Sequence, residues 1–132
     1  MRPIPPDVDA FLREPNPAVV ATLQADGSPH SVATWYDWED GLVLLNMDAT
    51  RKRLEHLRRD PRVSLTVLQK DDWYSHVSLF GAVERLEDDA DLSDIDRLAV
   101  RYTGSPYRNR KSPRVSAWMR PEGWHQWPRP SP

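Results

Sequence analysis

The sequence predicts a mainly β protein in which an antiparallel barrel carries peripheral helices. Apolar segments of strand length recur along the chain, and most are joined by short turns. Asp26-Gly27 and Asp40-Gly41 mark two of these turns, because glycine tolerates the positive φ that a hairpin turn requires. Helical spacing of apolar residues is confined to short segments. A barrel would also pair the strand edges that such apolar strands expose.

The order of elements is predicted as β-β-β-α-β-β-α-β after a short first helix. That helix is expected within residues 1–14, opened by Pro5-Pro6-Asp7 and stopped by Pro15. Thr50 or Asp48 is expected to cap the second helix. Strands are expected at 18–23, 30–36, 42–47, 63–68, 73–86 (with a bulge at Gly81) and 114–119, and the later helices at 50–59 and 92–102.

Length and composition narrow the class of protein. The 132 residues fit one domain over 1–132, ending in a proline-rich tail at 128–132. The net charge of −2 gives no global basic field for nucleic acid, so no nucleic-acid partner is expected. No cysteine is present, which excludes disulfides and thiolate metal sites. No apolar run reaches the length of a membrane span, and we expect a cytoplasmic protein without a membrane partner.

The strongest functional signal is the basic start of the second helix. Thr50-Arg51-Lys52-Arg53 follow the apolar strand 42–47. A helix N-terminus offers unpaired N–H groups and a positive dipole end, so cations there are disfavoured unless an anion is present. The alternative is a solvated helix face in which Glu55 pairs with Arg51 or Arg59. The position in the first turn favours a site for phosphate or carboxylate.

The sequence lacks the motifs of common catalytic and metal sites. His30, His56, His76 and His125 are scattered, without the spacing of a metal site. The chain has no glycine-rich phosphate loop and no nucleophile elbow. If the protein is an enzyme, a bound cofactor is therefore expected to carry the chemistry.

Six tryptophans are too many for a small core to bury completely. Some are expected to lie at an interface or to line a pocket, where large flat rings are useful.

A block of residues around the basic helix resembles one superfamily. It consists of strand 42–47, Thr50-Arg51-Lys52-Arg53, and the run Arg59-Asp60-Pro61-Arg62-Val63-Ser64-Leu65 after the helix. This block is similar to that of the split-barrel flavin and deazaflavin reductases, the pyridoxamine-phosphate-oxidase-like superfamily. The resemblance covers about residues 8–127 and indicates the class that uses the deazaflavin coenzyme F-420.

The resemblance implies a homodimer of split β-barrels with two cofactor sites at the subunit seam. Thr50, Arg51 and Lys52 match the residues that hold the cofactor phosphate, and Arg53 matches a further tail-binding position. The other implied cofactor contacts are Val32, Ala33 and Thr34 along the ring, Asn46 and Met47 at a strand end, Tyr74, Ser75, His76 and Val77 from the other subunit, and Trp124 from the last strand.

Two departures from the pyridoxamine phosphate oxidases bear on the substrate. The eight residues after Trp124 lack the arginine-x-histidine pair of those oxidases, and Trp35 replaces a phosphate-binding lysine. Both departures argue against pyridoxamine phosphate and fit an apolar cleft walled by Trp35, Trp73 and Trp124. No side chain is required as a catalytic base, and His76 is the one candidate proton donor.

The sequence therefore predicts an oxidoreductase that transfers a hydride between coenzyme F-420 and a small conjugated organic acceptor. One alternative keeps the fold and uses FMN, as an oxidase or reductase. Another is a non-catalytic protein that binds a cofactor or a tetrapyrrole.

Overall fold

Seven strands and three helices make up most of residues 1–128, the part of the chain that this computed structural model describes. Beyond Pro128, the predicted proline-rich tail lies outside the described residues. No helix within residues 1–128 is long and apolar enough to cross a membrane. The elements are α1 (Pro6–Arg13), β1 (Ala18–Leu23), β2 (Pro29–Thr34), β3 (Asp37–Glu39), β4 (Leu42–Asp48), α2 (Lys52–Arg59), β5 (Arg62–Gln69), β6 (Asp72–Asp88), α3 (Ser93–Thr103) and β7 (Arg114–Trp127).

The strands form one antiparallel sheet in the order β2-β1-β5-β6-β7-β4-β3. The predicted mainly β fold, a split barrel with peripheral helices, is confirmed. No ladder joins β2 to β4 within the described residues, so the barrel has a gap between them. The register of β6 against β7 shifts at Phe80/Gly81, where the sequence predicts a bulge. A Cβ at Gly81 would lie 2.1 Å from the carbonyl oxygen of Arg120, so the close approach of the two strands requires glycine there.

The structure differs from the predicted elements at three places. The expected strand 30–36 ends at Thr34, because the chain turns Tyr36 into the core, where its hydroxyl donates to the Leu12 carbonyl at 2.8 Å. The short strand β3 then forms separately. The last strand continues past 119 to Trp127, because β6 pairs with it over that length.

The predicted cap of α2 is wrong. The N-cap residue is Arg51, and it makes no side-chain cap hydrogen bond. Asp48 instead accepts hydrogen bonds from the backbone N–H and the hydroxyl of Thr50, at 2.9 and 2.7 Å. These bonds shape the turn before the helix, and no side chain among residues 1–128 caps the first N–H groups of α2.

The core lies inside the curved sheet and under α1 and α2. Leu45, Leu65, Leu79 and Met119 are almost completely buried there. The tryptophans divide as the sequence predicts. Three of them, Trp38, Trp118 and Trp124, are buried, whereas Trp73 is 71% and Trp127 is 47% exposed.

Arg101 of α3 ties the end of α1 to the strand connection after β2. Its guanidinium donates to the carbonyls of Tyr36 at 2.9 Å and Glu14 at 2.6 Å, and to those of Leu12 and Arg13. The side chain is 13% exposed, and Asp37 lies 3.4 Å away. One planar group thus pairs carbonyls at the open end of α1 with donors.

We expect Arg101→Met to lower the free energy of unfolding by about 2–4 kcal/mol, because four backbone carbonyls and Asp37 lose the hydrogen-bond donors of a largely buried guanidinium. Chemical denaturation would measure the loss. Arg108→Met, at an exposed position in the loop after α3, is the matched control and should change stability by less than about 0.5 kcal/mol. Equal effects of the two substitutions would contradict this role for Arg101.

His56 joins α2 to β1. The side chain is buried, and its Nδ1 lies 2.9 Å from the hydroxyl of Thr22. The ring of His30 packs edge-on against it at 5.5 Å. Burial lowers the pKa of His56, and the neighbouring His30 lowers it further. The folded protein therefore favours the neutral imidazole.

A lowered pKa in the folded state means that the unfolded chain takes up the proton first as the pH falls. We expect the stability of the wild type relative to His56→Gln to decrease as the pH falls through the ordinary histidine pKa of about 6.5. Denaturation at several pH values would measure this difference. A difference between the wild type and His56→Gln that stays constant as the pH falls would contradict the assignment.

Candidate functional site

Two clefts open along the gap where β2 faces β4. The first, of about 730 Å³, is called the basic cleft and is lined by His30, Val32, Ala33, Met47, Asp48, Thr50, Arg51, Lys52, Arg53, Tyr107 and Arg114. The second, of about 660 Å³, is called the aromatic cleft; its lining includes Ala33, Thr34, Trp35, Asn46, Arg53, Ile95, Leu98, Tyr102, Tyr107 and Arg114. Four residues line both clefts, which therefore adjoin each other: Ala33, Arg53, Tyr107 and Arg114.

The basic cleft lies at the N-terminus of α2. Arg51 and Lys52 are exposed there, at the N-cap and the first helical position. The alternative of a salt-bridged helix face is not realised for Arg51, because Glu55 approaches Lys52 instead, at 3.9 Å and in solvent. An exposed pair at that distance neutralises little charge. The cleft thus combines uncapped helix N–H groups with cations, the arrangement that binds anions.

Arg53 shows that this cleft suits an anion. The residue is half-buried, and its Nε is buried without a hydrogen-bond partner among the described residues. Burial lowers the pKa of the Arg53 guanidinium, and the positive charges of Arg51 and Arg114 lower it further. A half-buried cation with an unpaired donor and like-charged neighbours is stabilised by a bound phosphate or carboxylate.

A buried polar network holds the wall of the clefts on the β4 side. The amide nitrogen of Asn46 donates to Asp89 at 3.1 Å and to the Ser116 hydroxyl at 3.0 Å. Its amide oxygen accepts a hydrogen bond from Nε of Arg114 at 2.7 Å. Asp89 also accepts from two backbone N–H groups at the start of α3, at 3.1 and 2.9 Å. Asn46 therefore connects α3 to the position of Arg114.

Sequence reasoning missed Arg114, Tyr102 and Tyr107 as cleft residues. Arg114 was predicted only as the start of a strand. It enters the site because the β4–β7 register places it opposite Asp48. No local signal links positions so far apart in the chain.

Three aromatic rings form one side of the aromatic cleft. Trp35 stacks on Tyr102 with centroids 5.6 Å apart and planes 7° apart. Tyr107 meets Trp35 edge-on at 6.3 Å, and the Arg114 guanidinium lies 4.7 Å above the Tyr107 ring. The wall of this cleft is thus aromatic, and it also carries positive charge.

The structure brings only part of the predicted site together within one chain. Residues 32–34, 46–47 and 50–53 all line the two clefts. Residues 74–77 lie on β6 and line neither cleft. There, Nδ1 of His76 lies 3.0 Å from the Tyr74 carbonyl oxygen. The resemblance assigns this segment to the other subunit.

Two of the tryptophans that were expected to wall the substrate cleft, Trp73 and Trp124, lie elsewhere in the single chain. Trp73 is exposed at the start of β6, with its ring 5.7 Å from that of Tyr74. Trp124 is buried, its indole N–H donates to the Arg2 carbonyl at 3.1 Å, and the Arg2 guanidinium covers its ring at 4.3 Å. Neither tryptophan lines the two clefts.

Across residues 1–128, no group of three or more histidine, aspartate or glutamate side chains is placed to hold a metal ion. The chemistry that the clefts themselves offer is recognition. A flat group fits beside the aromatic rings, and a negatively charged group fits at the start of α2.

Comparisons with known proteins agree with this geometry. The family profile described as pyridoxamine 5'-phosphate oxidase matches residues 4–128. No curated protein matches the sequence significantly.

Among solved structures, an F-420 reductase is 24% identical, with a TM-score of 0.84, covering 92% of this chain and 98% of its own. The conserved hypothetical protein Rv2991 from Mycobacterium tuberculosis is 27% identical, with a TM-score of 0.74 and coverages of 96% and 89%. General Stress Protein 26 from Bacillus anthracis is 18% identical, with a TM-score of 0.66 and coverages of 89% and 88%. This chain therefore belongs to the pyridoxamine 5'-phosphate oxidase family and has the split-barrel fold of flavin- and deazaflavin-type oxidoreductases.

Proposed function

We propose that this protein is a coenzyme F-420-dependent oxidoreductase that transfers a hydride between the deazaflavin and a conjugated organic acceptor. The observation that carries the proposal is the buried, unpaired Nε of Arg53 beside the uncapped N-terminus of α2. The family and the neighbouring F-420 reductase structure support the redox class. The same fold with FMN is the competing cofactor assignment, and the titration below includes it.

The basic cleft would hold the acidic part of the cofactor. Arg51, Lys52 and Arg53 would neutralise the phosphate and the acidic tail, at about 1.5–3 kcal/mol for each hydrogen bond to a charged group. Asp48 accepts hydrogen bonds from the hydroxyl and the N–H of Thr50. Thr50 would thus hold the backbone that leads into this site. The charge of the cofactor would thus be recognised by one short segment.

The gap between β2 and β4 would hold the ring system. β2 is an edge strand of the sheet, so one backbone edge of Val32, Ala33 and Thr34 has no strand partner among residues 1–128 and can face a flat ligand. Asn46 and Met47 are buried on the opposite side and would exclude water from that side. When bound, the deazaflavin supplies the hydride chemistry, while the protein orients the reactants.

The remaining site residues would come from a second copy of the chain. Tyr74 is 63% exposed and lies beside the exposed Trp73, and both precede Ser75, His76 and Val77 on β6. Large exposed rings of this kind are typical of interfaces. In a homodimer, this segment would complete the partner's site, and His76 would be the candidate for donating a proton.

We expect Arg51→Glu with Lys52→Glu to weaken coenzyme F-420 binding by about a hundredfold or more, because attraction to the phosphate becomes repulsion. A fluorescence titration of the purified protein with coenzyme F-420, run beside FMN, measures both affinities. The wild type should bind the deazaflavin at micromolar concentration or tighter, and FMN more weakly.

The matched control reverses the same number of charges at the other end of α2. Arg58→Glu with Arg59→Glu alters two exposed residues of the last turn and should leave cofactor affinity nearly unchanged. Unchanged affinity in the first double variant would refute the phosphate site. Preference for FMN would assign the protein to the flavin branch.

The homodimer has its own test. Light scattering should give twice the mass of one chain for the wild type. Tyr74→Glu should shift the protein toward monomer and lower cofactor affinity, because a buried interface disfavours an unpaired charge. Val100→Glu, at a 49% exposed position of α3, should remain dimeric. A monomeric wild type, or a Tyr74→Glu dimer with full affinity, would contradict the proposal.

A further inference from the structure

We propose that Arg114 binds a carboxylate of the acceptor, so that the substrate class is flat conjugated acids seated in the aromatic cleft. This inference deepens the proposed function and rests on it for the redox step. The binding step can be tested without the cofactor.

Arg114 is positioned but not neutralised. Its Nε is held by the amide oxygen of Asn46 at 2.7 Å, and its guanidinium lies over the Tyr107 ring at 4.7 Å. No carboxylate of the described residues lies within ion-pair distance of it. One Nη is 3.4 Å from the Tyr107 hydroxyl, a long contact. The Nη groups therefore retain N–H donors for a ligand.

The nearby carboxylates are engaged elsewhere. Asp48 accepts from Thr50. Asp89 accepts from Asn46 and from the start of α3, and Asp94 accepts from the Ser116 hydroxyl. The polar network thus uses the acids to fix Asn46 and leaves Arg114 to face the clefts. An acid from outside the chain is the natural partner for this half-buried cation.

The surroundings of Arg114 select the shape of that acid. Trp35 and Tyr107 line the cleft next to the guanidinium, and Ile95 and Leu98 add apolar surface. Flat conjugated groups pack well against aromatic rings. The two Nη groups of an arginine can bind a carboxylate through two parallel hydrogen bonds, which a neutral amide cannot match in charge. The predicted ligand is therefore a planar unsaturated acid rather than a neutral apolar molecule.

The experiment compares trans-cinnamate with trans-cinnamamide, which share shape and conjugation but differ in charge. Calorimetric titration of the wild-type protein, with and without saturating coenzyme F-420, should show about tenfold tighter binding of the acid. Arg114→Gln should remove that preference while leaving amide binding unchanged, and Arg114→Lys should retain part of it. Arg108→Gln, at an exposed position in the loop between α3 and β7, should retain all of it.

Two further outcomes separate this inference from its alternatives. Arg51→Gln with Lys52→Gln should lower cofactor affinity but retain the preference for acid over amide. If Arg114→Gln instead weakens coenzyme F-420 binding and leaves cinnamate binding intact, the carboxylate belongs to the cofactor tail and the inference is overturned. Equal binding of acid and amide, or no binding of cinnamate at millimolar concentration, also overturns it.

The result is independent of the cofactor assignment. A protein that prefers cinnamate through Arg114 but does not bind coenzyme F-420 would retain the acid site and refute the proposed function. A protein that binds coenzyme F-420 but shows no preference for acid over amide would refute the acid site and retain the proposed function.

Discussion

The gap between β2 and β4 is the constraint on which the rest of the site depends. A sheet of seven strands curved into a barrel would lose its free edges if its ends paired. Here β2 is one edge strand of the described sheet, and β3, which pairs with β4, is the other. The unpaired backbone of β2 can be satisfied by water or by a ligand. The ladder of hydrogen bonds that would join β2 to β4 is absent among the described residues, and the two clefts lie in that gap.

Helix α2 shapes one end of that gap and accepts an unfavourable charge arrangement there. Leu54 and Leu57 are buried, and the contact between His56 and Thr22 fixes the helix on β1. That packing stabilises the helix although its dipole and its first cations repel each other. Among the described residues, Arg51 and Arg53 have no carboxylate counterion, and Lys52 has only the exposed Glu55 at 3.9 Å. An unfavourable local arrangement, such as cations at the N-terminus of a helix, is typical of a functional site when the surrounding packing is regular.

The sequence was informative wherever the signal was local. Apolar alternation and Asp-Gly turns predict most strands, and the three cations in the first turn of α2 predict the basic cleft. The break after Thr34 was not predictable from local pattern, because the buried hydroxyl of Tyr36 finds its partner on α1. The partnership of Asn46 with Arg114 depends on a register between strands that are far apart in the chain. The segment at 74–77 entered the predicted site only through the family resemblance.

Because the two clefts share residues, a ligand bound in one cleft affects binding in the other. Arg53 and Arg114 line both clefts, and the positive charge of each raises the potential felt by an anion in either one. A phosphate in the basic cleft would neutralise part of this field and weaken the hold on a second anion next to it. A neutral acceptor would not be affected in this way. Because Arg114 is held by the amide of Asn46 rather than by a carboxylate, the contact that positions it does not neutralise its charge. An aspartate in place of Asn46 would neutralise Arg114, so the buried amide of Asn46 preserves the positive charge that Arg114 presents to the aromatic cleft.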